Sequence, residues 1–287
     1  MRAPAPEAIR IERITGLAVR EWRSLGGSHG AAHYRCRLAD DRELFVKSAH
    51  TSEGGAELAA EANGLRWLGY AGAVAIPEVI LCDQDLMGVA WIPSGGADRA
   101  AADLFGRDLA SMHAAGTDRF GAPWPGFIAS LPLPNDRADS WPTWYAEHRL
   151  LPYARLARNA GTLGTGDVRL IESVAGGIGE LAGPAEPPAK IHGDCWSGNV
   201  LWSEGRGWLI DPAAHGGHRE TDLAMLALFG APHIDRIIAA YQEVTPLAAG
   251  WRARVPLHQL HPLLVHAVLF GGGYGPRAAA AARRLLA

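Results

Sequence analysis

The stretch Ile191-His-Gly-Asp-Cys-Trp-Ser-Gly-Asn199, followed by Leu209-Ile-Asp211-Pro212, decides how this chain is read. Asp194 and Asn199 stand five residues apart, and Asp211 follows twelve residues after Asn199. A short apolar run, Gly207-Trp-Leu-Ile210, reads as a strand that delivers Asp211 at its end. A lone His-Gly-Asp would fit a turn, and the plain alternative is a β-hairpin whose Asp and Asn serve only as turn residues. The Asn at this offset and the strand-delivered Asp together favour a site.

The spacing is close to that of a phosphotransferase catalytic loop and its metal-binding Asp. In such loops the first Asp orients or deprotonates the attacking hydroxyl, while the Asn and the later Asp hold magnesium against the phosphates of ATP. Phosphoryl transfer is mainly positioning plus neutralisation of charge. One acceptor must therefore face the nucleophile and two must face the metal.

Composition narrows the field. The 287 residues can bury a large core and suggest one or two domains. Apolar content of 48% and charged content of 20% are those of a soluble globular protein. With 27 basic and 30 acidic residues the net charge is −3, which argues against a nucleic-acid binder. Cys36, Cys82 and Cys195 are scattered and form no CxxC pair, so neither a zinc knuckle nor a disulfide framework is expected. A reducing cytoplasm fits best. The N-terminus lacks an apolar secretory core, and no run of about 18 apolar residues predicts a membrane span.

Along the chain, Ile9 to about Leu17 predicts a lead-in helix. Strands at 18–23 and 32–38 flank a glycine-rich tip, Ser24-Leu-Gly-Gly-Ser-His-Gly30. Glu43-Leu-Phe-Val-Lys47 reads as a strand ending near a lysine. A helix over 55–68 and strands at 78–82 and 88–92 follow. Pro93-Ser-Gly-Gly96 reads as a hinge. Beyond it the pattern is mostly helical: 101–114, 141–160, 167–181, 221–229, 234–241 and 256–270. Residues 121–140 read as irregular, and Gly271-Gly-Gly273 as a helix stop. The expectation is an α+β, protein-kinase-like fold of two lobes: a small β-rich N-terminal lobe over 1–92 and a larger helical C-terminal lobe over 93–287.

The motif set resembles the fructosamine kinase (ketosamine kinase) family, within the aminoglycoside phosphotransferase and choline kinase-like group. The residues that carry the match are His192-Gly-Asp-Cys-Trp-Ser-Gly-Asn199, the run from Ile210 to Met225, and Leu269-Phe-Gly-Gly-Gly-Tyr274. The resemblance extends from about Gly26 to Gly275. It implies ATP and magnesium as cofactors and phosphorylation of a sugar hydroxyl on a ketosamine or glycated lysine, leading to deglycation. Asp194 then matches the base, and Asn199 and Asp211 the magnesium ligands. Lys47 matches the lysine that grips the α- and β-phosphates. Glu61 matches that lysine's helix partner, with Glu57 one turn earlier as the alternative. Gly26, Gly27 and Gly30 would let backbone N–H groups approach phosphates, and backbone groups at Val89 and Trp91 would meet the adenine.

His192 is expected to brace the loop, and Asp222 to accept backbone N–H bonds from it. Trp196, His215 and His218 are candidates for the substrate side. The histidine pairs His215/His218 and His258/His261 also invite a zinc reading, which their spacing alone does not support. Two departures from the family pattern stand out: the segment Gly88–Pro93 lacks an acidic residue, and Cys195 replaces the usual Leu. Two rivals remain, an aminoglycoside or other small-molecule kinase of the same fold and a non-catalytic nucleotide-binding scaffold. The oligomeric state is left open.

Overall fold

The computed structural model describes residues 5–28 and 30–287. His29, which the sequence places in the glycine-rich tip, lies outside the described residues, as do residues 1–4. The chain opens with helix α1 (Pro6–Thr15) and strands β1 (Val19–Ser28), β2 (Ala31–Leu38) and β3 (Glu43–Ala49). Helix α2 (Ser52–Gly69) and strands β4 (Val79–Asp83) and β5 (Leu86–Ala90) follow. The five strands make one antiparallel sheet in the order β1-β2-β3-β5-β4.

The alternation of β3 sets up the first half of the site. Leu44 and Val46 point to one face, where they pack with Ile11, Cys36, Leu38 and Leu86. Phe45 and Ala49 point to the other, against Leu58, Ala62 and Leu65 of α2. Because the side-chain period of a strand is two, Lys47 must share the α2 face. Helix α2 starts at Thr51, whose hydroxyl accepts from the Gly54 N–H at 3.1 Å. Its apolar stripe presses on the sheet and brings Glu61, three residues after Leu58, over Lys47.

An extended segment, 91–98, leads to helix α3 (Arg99–Ala114), capped by Asp98 through the Ala101 N–H at 2.8 Å. We propose the lobe boundary within this segment. Next come the hairpin β6 (Gly126–Ile128) and β7 (Leu131–Leu133), then helices α4 (Trp141–Tyr145), α5 (Leu151–Asn159), α6 (Thr165–Gly176) and α7 (Ile178–Leu181). Strands β8 (Ala189–Ile191), β9 (Val200–Ser203), β10 (Arg206–Leu209) and β11 (His215–Gly217) frame the loops of interest. Helices α8 (Glu220–Leu228), α9 (Ile234–Val244), α10 (Trp251–Phe270) and α11 (Tyr274–Leu286) complete the chain. One apolar core joins α4–α6, α10 and α11; a second joins α3, α8, α9 and the β9–β10 hairpin. This is the two-lobed, protein-kinase-like α+β fold. No helix among the described residues is long and apolar enough to cross a membrane.

Several elements differ from their sequence reading. Strand β1 runs on through Gly26 and Gly27, with a register shift between Ser24 and Gly26, so the glycines lie in a strand rather than at a free tip. Lys47 sits two residues inside β3. The 121–140 stretch contains the β6–β7 hairpin. The helix expected over 141–160 is interrupted by a π-turn at Ala146–Leu150, and the one over 167–181 breaks at Gly177. Helix α10 starts at Trp251 and absorbs Pro256 and Pro262. Tyr145 Oη donates to the Leu257 carbonyl at 3.0 Å and lies 3.5 Å from the His258 carbonyl, the acceptor that Pro262 leaves without its helical donor.

Candidate active site

Two short antiparallel pairs bring the quoted motif together. Strand β8 pairs with β11, Ile191 opposite His215. Strand β9 pairs with β10, Val200 opposite Leu209. The loop after β8 carries Asp194, and the segment between β10 and β11 carries Asp211. Both face one cleft of about 390 Å³, which Lys47, Glu61, Asn199 and Trp196 also line.

On the N-lobe side, Lys47 is buried. Its Nζ lies 2.8 Å from both carboxylate oxygens of Glu61 and 2.9 Å from Asp211 Oδ1. Glu61, rather than Glu57, is therefore its helix partner. Burial opposes the charge of Lys47, but the carboxylates of Glu61 and Asp211 outweigh it and hold the ammonium raised above its ordinary value. Burial pushes the Glu61 carboxyl up. Asp211, half-open to the cleft, is lowered: burial works against it and Lys47 prevails.

The loop after β8 is clamped from beneath. Asp222, fully buried on α8, accepts the N–H of His192 at 2.7 Å and of Gly193 at 3.0 Å. His113 Nε2 lies 3.1 Å from the same carboxylate, and its Nδ1 lies 2.9 Å from Tyr241 Oη. Burial disfavours the Asp222 charge, yet the hydrogen bond and charge of His113 lower its carboxyl below the ordinary value. His192 Nδ1 accepts from the Asp194 N–H at 3.2 Å, so its Nε2 proton is directed to the Ile210 carbonyl at 2.8 Å. Burial lowers this imidazole, consistent with a neutral brace. Gly193 has φ +80°, and a Cβ there would stand 2.3 Å from the Ala213 carbonyl oxygen.

Asn199 Nδ2 donates to Asp194 Oδ2 at 2.8 Å and to the Asp194 carbonyl at 3.0 Å. This fixes which end of the amide meets Asp194, and its Oδ1 takes no part in these bonds. Burial raises the Asp194 carboxyl to about 7, with Asp211 and Asp222 adding to the effect against the hydrogen bond from Asn199. A carboxylate of that basicity can take a proton near neutral pH. Cys195 is fully buried, and burial raises its thiol well above the ordinary value, so it is not a reactive thiol.

Other expected residues do not reach the cleft. His215 is buried with Nδ1 on the Ala213 carbonyl at 2.7 Å, and burial lowers it to about 3. His218 is buried against Trp141 and His258. Both belong to the aromatic core under the loop, not to the substrate side. His218, Glu220 and His258 do form a compact group. However, Glu220 is already held by Arg254 at 2.5 and 3.0 Å, and His218 Nδ1 accepts the Glu220 N–H at 3.2 Å. Val89 lies on the interior strand β5, between β3 and β4. The Trp91 N–H donates to the Glu43 carbonyl at 2.9 Å. Neither of these two residues lines the cleft or offers a free amide to an adenine. Gly26, Gly27 and Gly30 flank Ser28 and Ala31, which do line it.

Sequence reasoning missed the opposite wall. Trp124, Phe127, His266 and Phe270 line the cleft with Trp196. Trp196 packs edge-on to Phe229 at 6.0 Å, and Phe229 stacks on His266 at 4.6 Å. The irregular 121–140 stretch gave no signal for Trp124 or Phe127. His266 looked like one more residue of a buried helix.

Fold and site together define a phosphotransferase of the kinase-like class. The sequence profile of the fructosamine kinase family matches residues 7–287. A probable ketoamine kinase of Synechocystis sp. is 32% identical, over 97% of this chain and 96% of its own length. The probable ketoamine kinase YniA of Escherichia coli K12 is also 32% identical, over 91% of each. The crystal structure of a candidate fructosamine-3-kinase from Thermobifida fusca superposes with a TM-score of 0.94 at 49% identity, covering 97% of this chain and 98% of that one. The streptomycin-ATP-APH(2'')-IIa ternary complex shares the fold alone, with a TM-score of 0.68 at 14% identity over 99% and 97% of the two chains. The chain belongs to the fructosamine kinase family, and it is a phosphotransferase acting on a hydroxyl group.

Proposed function

We propose that the protein uses ATP and magnesium to phosphorylate a sugar hydroxyl of ketosamines, fructosamine- or ribulosamine-type adducts of a free amine or a protein lysine. The observation that carries this reading is the single cleft where Asp194, Asn199, Asp211 and Lys47 face a wall of aromatic side chains. Family membership supports a sugar-amine acceptor. The ATP in the fold-sharing streptomycin complex supports the donor.

The residues present fit a magnesium ion. Asp211 and the Oδ1 of Asn199 form an oxygen-only set open to the cleft, which suits a hard cation that keeps waters and shares phosphate oxygens. Magnesium held there would neutralise charge on the phosphates. Lys47, kept cationic by Glu61, grips the α- and β-phosphates and is preorganised for them. Asp194 orients the acceptor hydroxyl and takes its proton as that oxygen attacks the γ-phosphorus. The new O–P bond forms as the bond to the ADP oxygen breaks, in line and without a covalent enzyme intermediate. His192 and Asp222 keep the loop in that geometry. Phosphorylation at the third carbon's hydroxyl weakens the adduct and frees the amine, so the role is deglycation. Three free cysteines suit a reducing cytoplasm.

An aminoglycoside acceptor, a polycation, calls for an acidic substrate side. Here the acids of the cleft are Glu57 and Glu61 on α2 with Asp194 and Asp211; among the described residues the rest of the lining, largely aromatic, aliphatic and small side chains, adds no further carboxylate. A scaffold would not need the Asp194–Asn199 arrangement. The test is ATP consumption by the purified protein with magnesium and a fructosamine- or ribulosamine-lysine, an aminoglycoside, choline or no acceptor, with Asp194→Asn as control. Turnover on the ketosamine that disappears in the variant is expected. Turnover confined to another acceptor would overturn the substrate assignment.

A further inference from the structure

Among the aromatic residues named on this wall, His266 has a ring that can accept a hydrogen bond, and its orientation is fixed. His266, half-buried on α10, lines the cleft near Leu269 and Phe270. Its Nδ1 lies 2.8 Å from the Pro262 carbonyl. A carbonyl oxygen only accepts, so the proton sits on Nδ1 and Nε2 carries the lone pair. No group among the described residues partners Nε2. The ring is held by Phe229 on one face, by Phe270 at 5.4 Å and by Tyr274 at 5.0 Å. Burial lowers the imidazole below its ordinary value, which keeps it neutral at pH 7.

The chemistry of the wall selects what binds there. Among the described residues, the four acids that line the cleft are Glu57 and Glu61 on α2, Asp194 and Asp211; none lies on β6 or α10, which carry Phe127, His266 and Phe270. The secondary amine of a ketosamine is protonated at neutral pH and presents N–H donors. π-Faces attract such a cation, and a neutral imidazole nitrogen accepts from it. Sugar hydroxyls gain little from an apolar aromatic face. Phe270 is 60% exposed, so this end of the cleft is open and leaves room for the rest of the amine.

We propose that His266 is a specificity-determining residue of this site: its Nε2 accepts from the protonated amine of the ketosamine, between the aromatic faces of Trp196 and Phe270. The proposal rests on the ketosamine reading above and adds which end of the substrate is recognised, and by what.

The experiment compares KM and kcat for a fructosamine-lysine and for the free ketose, which lacks the amine, in the wild type, His266→Phe and His266→Gln. Wild type is expected to prefer the ketosamine in KM. His266→Phe keeps the ring packing but loses the acceptor. It should raise the ketosamine KM about tenfold or more, the size of one hydrogen bond to a charged group. Its kcat, ATP KM and free-ketose KM should stay within about twofold of wild type. His266→Gln, whose amide oxygen can accept, should recover part of the loss.

An unchanged ketosamine KM in a His266→Phe enzyme of normal ATP KM would overturn this inference and leave the kinase reading standing. An equal rise for both acceptors would assign Nε2 to a sugar hydroxyl and overturn the amine assignment. Should His266→Phe not fold, the wild type alone decides: equal KM for ketosamine and free ketose removes the proposal. No wild-type turnover on any ketosamine would remove the substrate reading itself.

Discussion

At the scale of single residues, the site depends on which groups are denied other partners. Asp194 is positioned by Asn199 and raised by burial, and the role proposed for it needs the carboxylate itself. Asp194→Asn preserves shape but cannot take a proton. It is expected to lower kcat by roughly a thousandfold, within the range of general-base effects, while ATP affinity measured by calorimetry stays within about twofold. Lys47 offers a sharper contrast. Glu61 contacts its ammonium with both oxygens, whereas Glu57 lies one turn away. Glu61→Ala should raise the ATP KM roughly tenfold, about one charge-assisted hydrogen bond, and Glu57→Ala should raise it less. Equal effects in steady-state assays would dismiss the ion pair as a positioning device.

At the scale of elements, close approach rather than propensity decides where glycine is required. Helices α3 and α9 cross at Gly106, where a Cβ would lie 2.3 Å from the Ile237 carbonyl oxygen. Backbone cannot rotate away as a side chain can, so the helices must separate. Gly106→Ala should cost about 1–3 kcal/mol in urea unfolding, the usual range for overpacking. Gly166 on α6 has nothing within 4 Å. Gly166→Ala should be neutral or stabilise by up to about 1 kcal/mol through helix propensity. If the two variants unfolded alike, the crossing would not be the tight contact described. The same contrast explains a miss in the sequence reading. Helix α11 follows a glycine run that reads as a stop, and its buried face against α6 and α10 is made of small residues, Ala278, Ala279, Ala281 and Ala282, with Arg277, Arg283 and Arg284 exposed.

At the scale of the whole molecule, buried charges tie the C-lobe together and set its response to acid. Glu220 is held by Arg254 and lies beside His258, and Asp222 clamps the catalytic loop. Burial works against the Glu220 charge, but His258 at 3.4 Å and the bonds from Arg254 lower its carboxyl from 4.5 to about 2. A carboxyl depressed in the folded state contributes stability above its unfolded value. That contribution is lost as pH falls from about 4.5 towards 2. Urea unfolding at pH 7, 4 and 3 should show this loss in the wild type. Glu220→Gln, already less stable at pH 7 because Arg254 loses its charged partner, should lose roughly 2 kcal/mol less over the same interval. Parallel curves for the two proteins would place the acid-sensitive group elsewhere.

What the sequence determined by itself was local. The spacing of Asp194, Asn199 and Asp211 depends on one loop and one hairpin, and a few residues of chain carry it. The strand character of 43–47 and the helix over 55–68 follow from short-range periodicity, so Lys47 and its helix partner were legible as types. Periodicity alone did not say which glutamate meets the lysine; the resemblance named Glu61, and the packing of Leu58, Ala62 and Leu65 sets the helix phase that brings it there. His215 and His218 looked available because they follow Asp211 closely in sequence. The β8–β11 pairing and the aromatic residues of α4 bury them. Beyond Trp196, which the sequence offered as a candidate, the aromatic wall of the cleft needed the tertiary structure. Trp124, Trp196 and His266 come from three distant segments, and only the docking of the β6–β7 hairpin and α10 around one cleft gives them a common surface. Covalent neighbours fix spacing; burial and long-range packing decide which side chains face the same solvent-filled space.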